Sequence, residues 1–225
     1  MVIQLRTLQA EEEKDYAEVY LYDEQGAQQN LLKTENIDEQ LEELIKTTVK
    51  ELLERETKGM NLNENQLRNY ISEVPVYLKI AKKDSINLTL IDLPGIKYGN
   101  EQVTKRILDL SMKYIQNQEA IILYVITADI DFDNSQALDL IGKVDPERQR
   151  TLFVMSKIDK CELHISEKIE KIEKMFKLGV HCVRNRTQEE LEGGVPFEQV
   201  RETEMALFKT HPELKMLRPQ AKGTE

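Results

Sequence analysis

Beyond Gly99 the chain alternates between two kinds of segment. Helix-patterned "EQVTKRILDLSMKYI" is followed by strand-like "AIILYVI". Helical "SQALDLIGKV" precedes "TLFVMS", helical "SEKIEKIEKMFKL" precedes "VHCV", and a last helix, "FEQVRETEMALFKT", runs to His211-Pro212. Successive parallel strands need long crossovers, and an amphipathic helix returns the chain to the same sheet edge while covering its face. The alternation therefore predicts an α/β fold with a doubly wound, mostly parallel sheet.

The first hundred residues are patterned differently. "VIQLRTL" and "YAEVYLY" read as strands around the charged "QAEEEKD". Ile37, Leu41, Leu44, Ile45, Val49, Leu52 and Leu53 then form one apolar stripe at helical spacing, with Asn36 and Glu39 placed as a capping box. Gly59 and "MNLNEN" break that helix, and "PVYLKI" and "INLTLID", joined by "AKKDS", read as a hairpin.

At 225 residues, 40% apolar and 32% charged, the chain has the size and composition of a globular protein with a sizeable core. Its two cysteines, Cys161 and Cys182, form no disulfide framework, which points to a reducing compartment such as the cytoplasm. The opening Met-Val-Ile-Gln-Leu-Arg has no basic stretch before an apolar core, so no secretory leader is expected, and no apolar run approaches spanning length. The net charge of −10 is concentrated in residues 11–57, which hold 15 acidic and 5 basic residues. That lobe argues against nucleic acid or an anionic bilayer as a direct partner of the segment, and reads first as a solvated helical face.

Three polar stretches follow strand-like runs: Asp92-Leu93-Pro94-Gly95, Ser156-Lys157-Ile158-Asp159 and Asn185-Arg186-Thr187-Gln188. In open α/β sheets, ligands bind beyond the carboxyl ends of the strands. Asp-x-x-Gly suits a nucleotide γ-phosphate: Asp92 can hold a magnesium-bound water, and the Gly95 N–H can approach a phosphate oxygen. Lys-x-Asp suits guanine, whose N1–H and 2-amino group present two parallel donors to one carboxylate. Each motif alone has a plainer reading, the first as a capped turn and the second as a solvated helix start; their order and placement on successive strands favour the site. Cys161, His164, His181 and Cys182 are a weaker set. The last two are adjacent in a strand and face opposite ways, so a metal site is not expected there.

"LTLIDLPG", "VDPERQRTLFVMSKID" and "VRNRTQ" resemble the corresponding stretches of the dynamin superfamily of large GTPases, dynamins and Mx proteins included. "MKYIQNQEAIILYV" and "KTHPEL" also resemble that family. The resemblance implies a dynamin-type GTPase domain over residues 1–217, with 218–225 a frayed tail. It implies GTP as substrate and Mg2+ as cofactor. Asp92 and Gly95 would lie in switch II, with Asp92 holding Mg2+ through water. Lys157 and Asp159 would read guanine, and Asn185, Arg186 and Gln188 would lie in the base-covering loop. "TADIDFDNSQAL" resembles the loop that crosses to a second GTPase domain, with Asp131 at its acidic contact, which implies a homo-oligomer through that face. Ser156 stands where the family usually has threonine.

The sequence contains no Gly-x-x-x-x-Gly-Lys-Ser/Thr, the loop that cradles phosphates, and no switch I threonine is recognisable. "VIQLRTL" resembles the family strand just after switch I, which implies truncation before it. A central strand between the run ending at Asp92 and the run Ile121–Ile126 is then expected to be missing, leaving either a slot or direct pairing. Two readings stay open: a piece of a dynamin-type GTPase unable to hydrolyse GTP by itself, with membrane association peripheral and through regions outside this sequence; or a nucleotide-free pseudo-GTPase that keeps the dimer face as an interaction partner.

Overall fold

Two β-sheets, one in each half of the chain, organise the secondary structure. The computed structural model describes residues 1–8, 12, 14–23, 25–96, 99–130, 135–161, 164–217 and 221–222. These divide into two units, Met1–Ser111 and Met112–Glu225.

The first unit contains β1 (Val2–Thr7), β2 (Tyr16–Tyr22), β3 (Gln28–Thr34), α1 (Ile37–Thr57), α2 (Glu64–Arg68), β4 (Tyr77–Lys82), β5 (Leu88–Ile91) and most of α3 (Glu101–Ile115). Its strands lie in the order β3-β2-β4-β1-β5. β1 is parallel to β4, while β5 runs antiparallel to β1, and β2 antiparallel to both β3 and β4. The expected hairpin of β4 with β5 does not form, because β1 is inserted between them. Alternating apolar residues satisfy either pairing equally, so the inserted strand leaves no mark on the local pattern.

Helix α1 covers one face of this sheet. Ile37 and Leu52 bury against Ala17, Val19, Leu21, Val76 and Leu78, with Leu41, Leu44 and Ile45 packed beside them. The stripe is turned slightly from the expected one: Thr48 is fully buried and Val49 is exposed. Thr48 tolerates that position because its hydroxyl donates to the Leu44 carbonyl at 3.0 Å. The expected capping box at Asn36 and Glu39 is also replaced. The Asn36 side chain caps no backbone group; its amide donates to the Glu39 carboxylate at 2.7 Å instead.

The second unit has the wound character that the alternation predicts. β6 (Ile122–Thr127), α4 (Gln136–Val144), β7 (Thr151–Ser156), α5 (Ile165–Met175), β8 (Val180–Cys182), α6 (Gln188–Glu192) and α7 (Phe197–Thr210) follow in order, and the sheet β6-β7-β8 is entirely parallel. Its core joins Ile122, Tyr124, Phe153, Met155, Val180 and Cys182 of the strands to Ile165, Ile169 and Ile172 of α5 and Phe208 of α7. Phe153 sits edge-on to both Tyr124 and Phe176, each with ring centroids 5.1 Å apart, a favourable aromatic geometry.

Strand β5 pairs with β1 in the first unit and strand β6 with β7 in the second. Each is an edge strand of its own sheet among the described residues, and each exposes apolar side chains: Leu88 and Ile91 on β5, Leu123 and Val125 on β6. No helix among the described residues is long and apolar enough to cross a membrane.

Candidate functional site

Register places the ends of β6, β7 and β8 along one edge of the second sheet. Thr127 is opposite Ser156, and Met155 is opposite Cys182. The Ser156 hydroxyl donates to the Ile126 carbonyl at 2.9 Å and ties the first two ends together. Beyond it, Lys157 turns the chain in a left-handed conformation, φ 52° and ψ 42°, into a single 3-10 turn over Ile158–Lys160. A lysine adopts that region only under constraint, and such backbone positions concentrate at functional sites. The constraint here is Ile158, whose side chain is fully buried while its N–H donates to the Val183 carbonyl at 3.3 Å. Lys157 and Asp159 on either side of it are exposed, and among the described residues no hydrogen bond or ion pair engages the Asp159 carboxylate.

The loop after β8 is held from two helices. The Val183 N–H continues the ladder to the Met155 carbonyl at 2.8 Å. The Arg184 N–H donates to the Glu204 carboxylate of α7 at 2.6 Å, and the Arg184 guanidinium reaches the Glu190 carboxylate of α6 at 2.7 Å. Glu190 also completes a capping box with Thr187, accepting its N–H at 2.8 Å while the Thr187 hydroxyl accepts from the Glu190 N–H at 3.2 Å. The Arg184 guanidinium and the Thr187 N–H together hold the Glu190 carboxyl below its ordinary range. Asn185 and Arg186 stand exposed between these ties. Gln188 begins α6 and spends its side chain on Glu192, one turn along, at 2.8 Å.

Thus Lys157, Asp159, Asn185 and Arg186 are brought to adjacent strand ends, laced together through Val183. Neighbouring charges support the edge. The Thr127 hydroxyl holds the Asp129 carboxyl low, with a smaller pull in the same direction from the Lys157 and Lys160 ammoniums. The Lys168 ammonium of α5 binds the carbonyls of Ala128 and Ile130 just past β6. Arg150 braces the other end of the sheet, donating to the carbonyls of Ala120, Ile115 and Val144 at 2.8, 2.7 and 3.2 Å.

Asp92 and Gly95 belong to the first unit. The Asp92 backbone closes the end of the β1–β5 ladder, its N–H donating to Met1 at 2.8 Å and its carbonyl accepting from the Met1 amino group at 2.6 Å. The side chain is exposed. Gly95 is exposed too; its φ is not positive, and a Cβ there would meet nothing within 4 Å. The chain's own packing therefore does not demand glycine at 95. Asp131 lies outside the described residues.

As a magnesium site, Asp92 offers one exposed carboxylate, and no group of three or more metal-ligating side chains gathers among the described residues. That donor set fits an ion held mainly by its waters and by substrate phosphates, with Asp92 acting through a water, and not a protein cage. Of the Cys/His set, Cys161 Sγ lies 3.8 Å from His211 Nε2, and burial pushes the Cys182 thiol up to about 12.

The structure adds residues that the motifs did not single out: Arg184, Glu190, Glu204, Lys168 and Arg150. The Thr187-x-x-Glu190 spacing was a readable capping signal for α6. Nothing local marks Glu204, twenty positions from the amide it binds.

The dynamin family model matches residues 2–158. Dynamin-related protein 4C of Arabidopsis thaliana is 36% identical over 152 residues, 65% of this chain and 22% of that protein. The putative dynamin-related protein 4A of the same plant is 35% identical over 65% of this chain and 49% of that protein. The interferon-induced GTP-binding protein Mx of Ctenopharyngodon idella is 34% identical over 68% of this chain and 26% of its own length. The chain thus spans between about a fifth and a half of the length of these relatives. A solved structure of an oligomerised bacterial dynamin pair superposes with a TM-score of 0.44 at 16% identity, over 95% of this chain and 29% of that one. With the family model covering most of the chain, the chain belongs to the dynamin family.

Proposed function

We propose that residues 1–217 are part of a dynamin-type GTPase domain and that the second unit recognises the guanine base of GTP. The observation that carries this reading is the Lys157–Asp159 turn: two exposed side chains held on either side of a buried Ile158, laced to the strand end that presents Asn185 and Arg186. Asp159 accepts from guanine N1–H and the 2-amino group, and Lys157 lays its stem along the base. Asn185, Arg186 and Gln188 cover it. Adenine presents an acceptor at N1 and repels the carboxylate.

In the parent protein the reaction is hydrolysis of GTP to GDP and phosphate. Asp92 would hold Mg2+ through a water, and the Gly95 N–H would meet a phosphate oxygen. Magnesium, when bound, neutralises phosphate charge. The 225 residues contain no Gly-x-x-x-x-Gly-Lys-Ser/Thr, so they bind nucleotide weakly and do not hydrolyse it alone. Asp131 contacts a second copy across the GTPase face. The parent protein is cytoplasmic, binds no nucleic acid, and meets membranes peripherally through regions outside this sequence.

The test is a change of base preference. Asp159→Asn replaces one acceptor with a donor, which clashes with the 2-amino group of guanine and matches the oxygen of xanthine. A mismatched buried polar pair costs about 1–3 kcal/mol, so preference should move from GDP towards XDP by roughly tenfold or more. Nucleotide-induced amide shifts at millimolar concentration measure it. A folded mutant that loses GDP and gains nothing with XDP would make Asp159 a turn cap. A wild-type chain that responds to no nucleotide favours the pseudo-GTPase reading.

A further inference from the structure

Arg184 is gripped through both its backbone and its side chain, by carboxylates from two different helices. The buried Glu204 of α7 accepts its N–H, and Glu190 of α6 accepts its guanidinium. The Arg184 and Glu190 side chains are 9% and 21% exposed, so this pair is largely shielded from water and from salt. The other oxygen of Glu190 takes the Thr187 N–H. Val183 is tied on its own account, donating to Met155 and accepting from Ile158. Residues 183, 184 and 187 are therefore pinned. Asn185 and Arg186 between them make no hydrogen bond among the described residues. Two free residues between fixed neighbours have few backbone conformations left, so the entropy of ordering them is largely removed before any ligand arrives.

We propose that Arg184 is a positioning residue: its clamp on Glu190 and Glu204 presents Asn185 and Arg186 to the guanine base. The inference rests on the reading of the Lys157–Asp159 turn as a base-recognition element. Its physical content is electrostatic. Only Nη2 of the guanidinium meets Glu190, while Nη1 is buried without a partner among the described residues. A lysine ammonium can replace the single engaged donor and leaves no second donor buried; a methionine of similar length can replace neither the charge nor the bond. Glu190→Gln attacks the same clamp from the other side, keeping an oxygen for Thr187 but removing the charge that meets Arg184.

The experiment uses the full chain, 15N-labelled, as wild type, Arg184→Met, Arg184→Lys and Glu190→Gln. Amide hydrogen exchange is read at positions 184 and 187, whose N–H groups are held by Glu204 and Glu190, with Phe153 as a core reference. The difference between the responses to GDP and to ADP is read at Lys157 and Asp159. In Arg184→Met and Glu190→Gln, exchange at positions 184 and 187 should rise about tenfold with Phe153 unchanged, and the guanine-selective response should fall roughly threefold or more. Arg184→Lys should stay near wild type in both. If Arg184→Met unfolds, Glu190→Gln carries the test. Unchanged exchange in the folded clamp variants, faster exchange with the guanine response intact, or a lysine variant that behaves like methionine each overturns the proposal. A wild-type chain that does not distinguish GDP from ADP overturns the base reading and takes this inference with it. That failure is visible before any variant is made.

Discussion

At the ends of β7 and β8 the polypeptide is tied by side chains from well outside the loops. Ser156 reaches across to β6, Ile158 is sunk in the core, Glu204 and Glu190 hold Arg184, and Thr187 caps α6. At the end of β5, the ties are a backbone pair between Asp92 and Met1, and Gly95 stands in open space. Both stretches match nucleotide motifs equally well as strings. The difference lies in which one the chain preorganises by itself. The base-side loops have their shape built in, with functional groups left unengaged between rigid neighbours, as a site needs if recognition is to avoid a large ordering penalty. Among the described residues, the hydrogen bonds of the Asp92–Gly95 stretch are the two between Asp92 and Met1.

The harshest way to break this contrast is to remove the floor under the braced loops. Phe153 is fully buried at the centre of the second core, edge-on to Tyr124 and Phe176. Phe153→Ala should destabilise the second unit by about 3–5 kcal/mol through lost burial and the cavity left behind. Urea unfolding followed by amide exchange should place the loss on β6, β7 and β8, sparing β2 and β4, whose core is a separate cluster around Ala17, Val19 and Leu21. An equal loss of protection in both units would show that the two cores unfold as one.

The next contrast is in how carboxylates are stabilised. Glu213 accepts the N–H groups of His164 and Ser166 at 2.8 and 2.9 Å, together with the Ser166 hydroxyl, and so pins the start of α5. The Ser166 N–H first, then the His164 N–H, bring its pKa from 4.5 to about 2 against a smaller opposing effect of burial. Because the folded pKa is the lower one, the stabilisation is fully present above about 4.5 and is lost as pH falls through about 2. Wild type should therefore exceed Glu213→Gln in stability at neutral pH, and the gap should close between those two values. In the first unit, Glu35 and Glu42 are held low by exposed pairs with Lys14 and Lys46. High salt should return those two towards ordinary values and leave Glu213 low, since backbone N–H groups are not screened as free charges are. Carboxyl titration by NMR in low and high salt reads both.

How much of this was legible depends on the range of the interaction that makes it. Segments with a local period were plain: "TLFVMS" is β7 and "FEQVRETEMALFKT" is α7 to the residue. The edge strand β3 was not read, because "QQNLLKT" carries little apolar alternation and forms by pairing with β2 across the Asp23–Gly26 turn. β1 was read as a strand, but its place between β4 and β5 depends on pairings about eighty residues apart. The site divides in the same way. Lys157, Asp159 and Asn185 follow from motif and strand end, and Glu190 of α6 from its capping-box spacing, whereas Glu204 of α7 has no spacing rule to announce it.

The smallest expected effect is also the one that isolates ligand from scaffold. At most turns where glycine is required, the requirement is visible as a positive φ, as at Gly99 with φ 94°, or as a crowded Cβ. Gly95 shows neither. Gly95→Ala should therefore leave the fold intact and raise stability by about 0.4–1 kcal/mol, because alanine has fewer unfolded conformations to lose. Thermal unfolding measures that directly, and a clear loss of stability would mean that the Asp92–Gly95 stretch has constraints of its own, collapsing the contrast with the braced loops. With stability unharmed, any weakening of the response to nucleotide phosphates in a protein that supplies the remaining phosphate contacts is assignable to the methyl group standing where a phosphate oxygen approaches the N–H. The same substitution would then separate the two reasons for a glycine in Asp-Leu-Pro-Gly, the needs of the chain and the needs of its ligand.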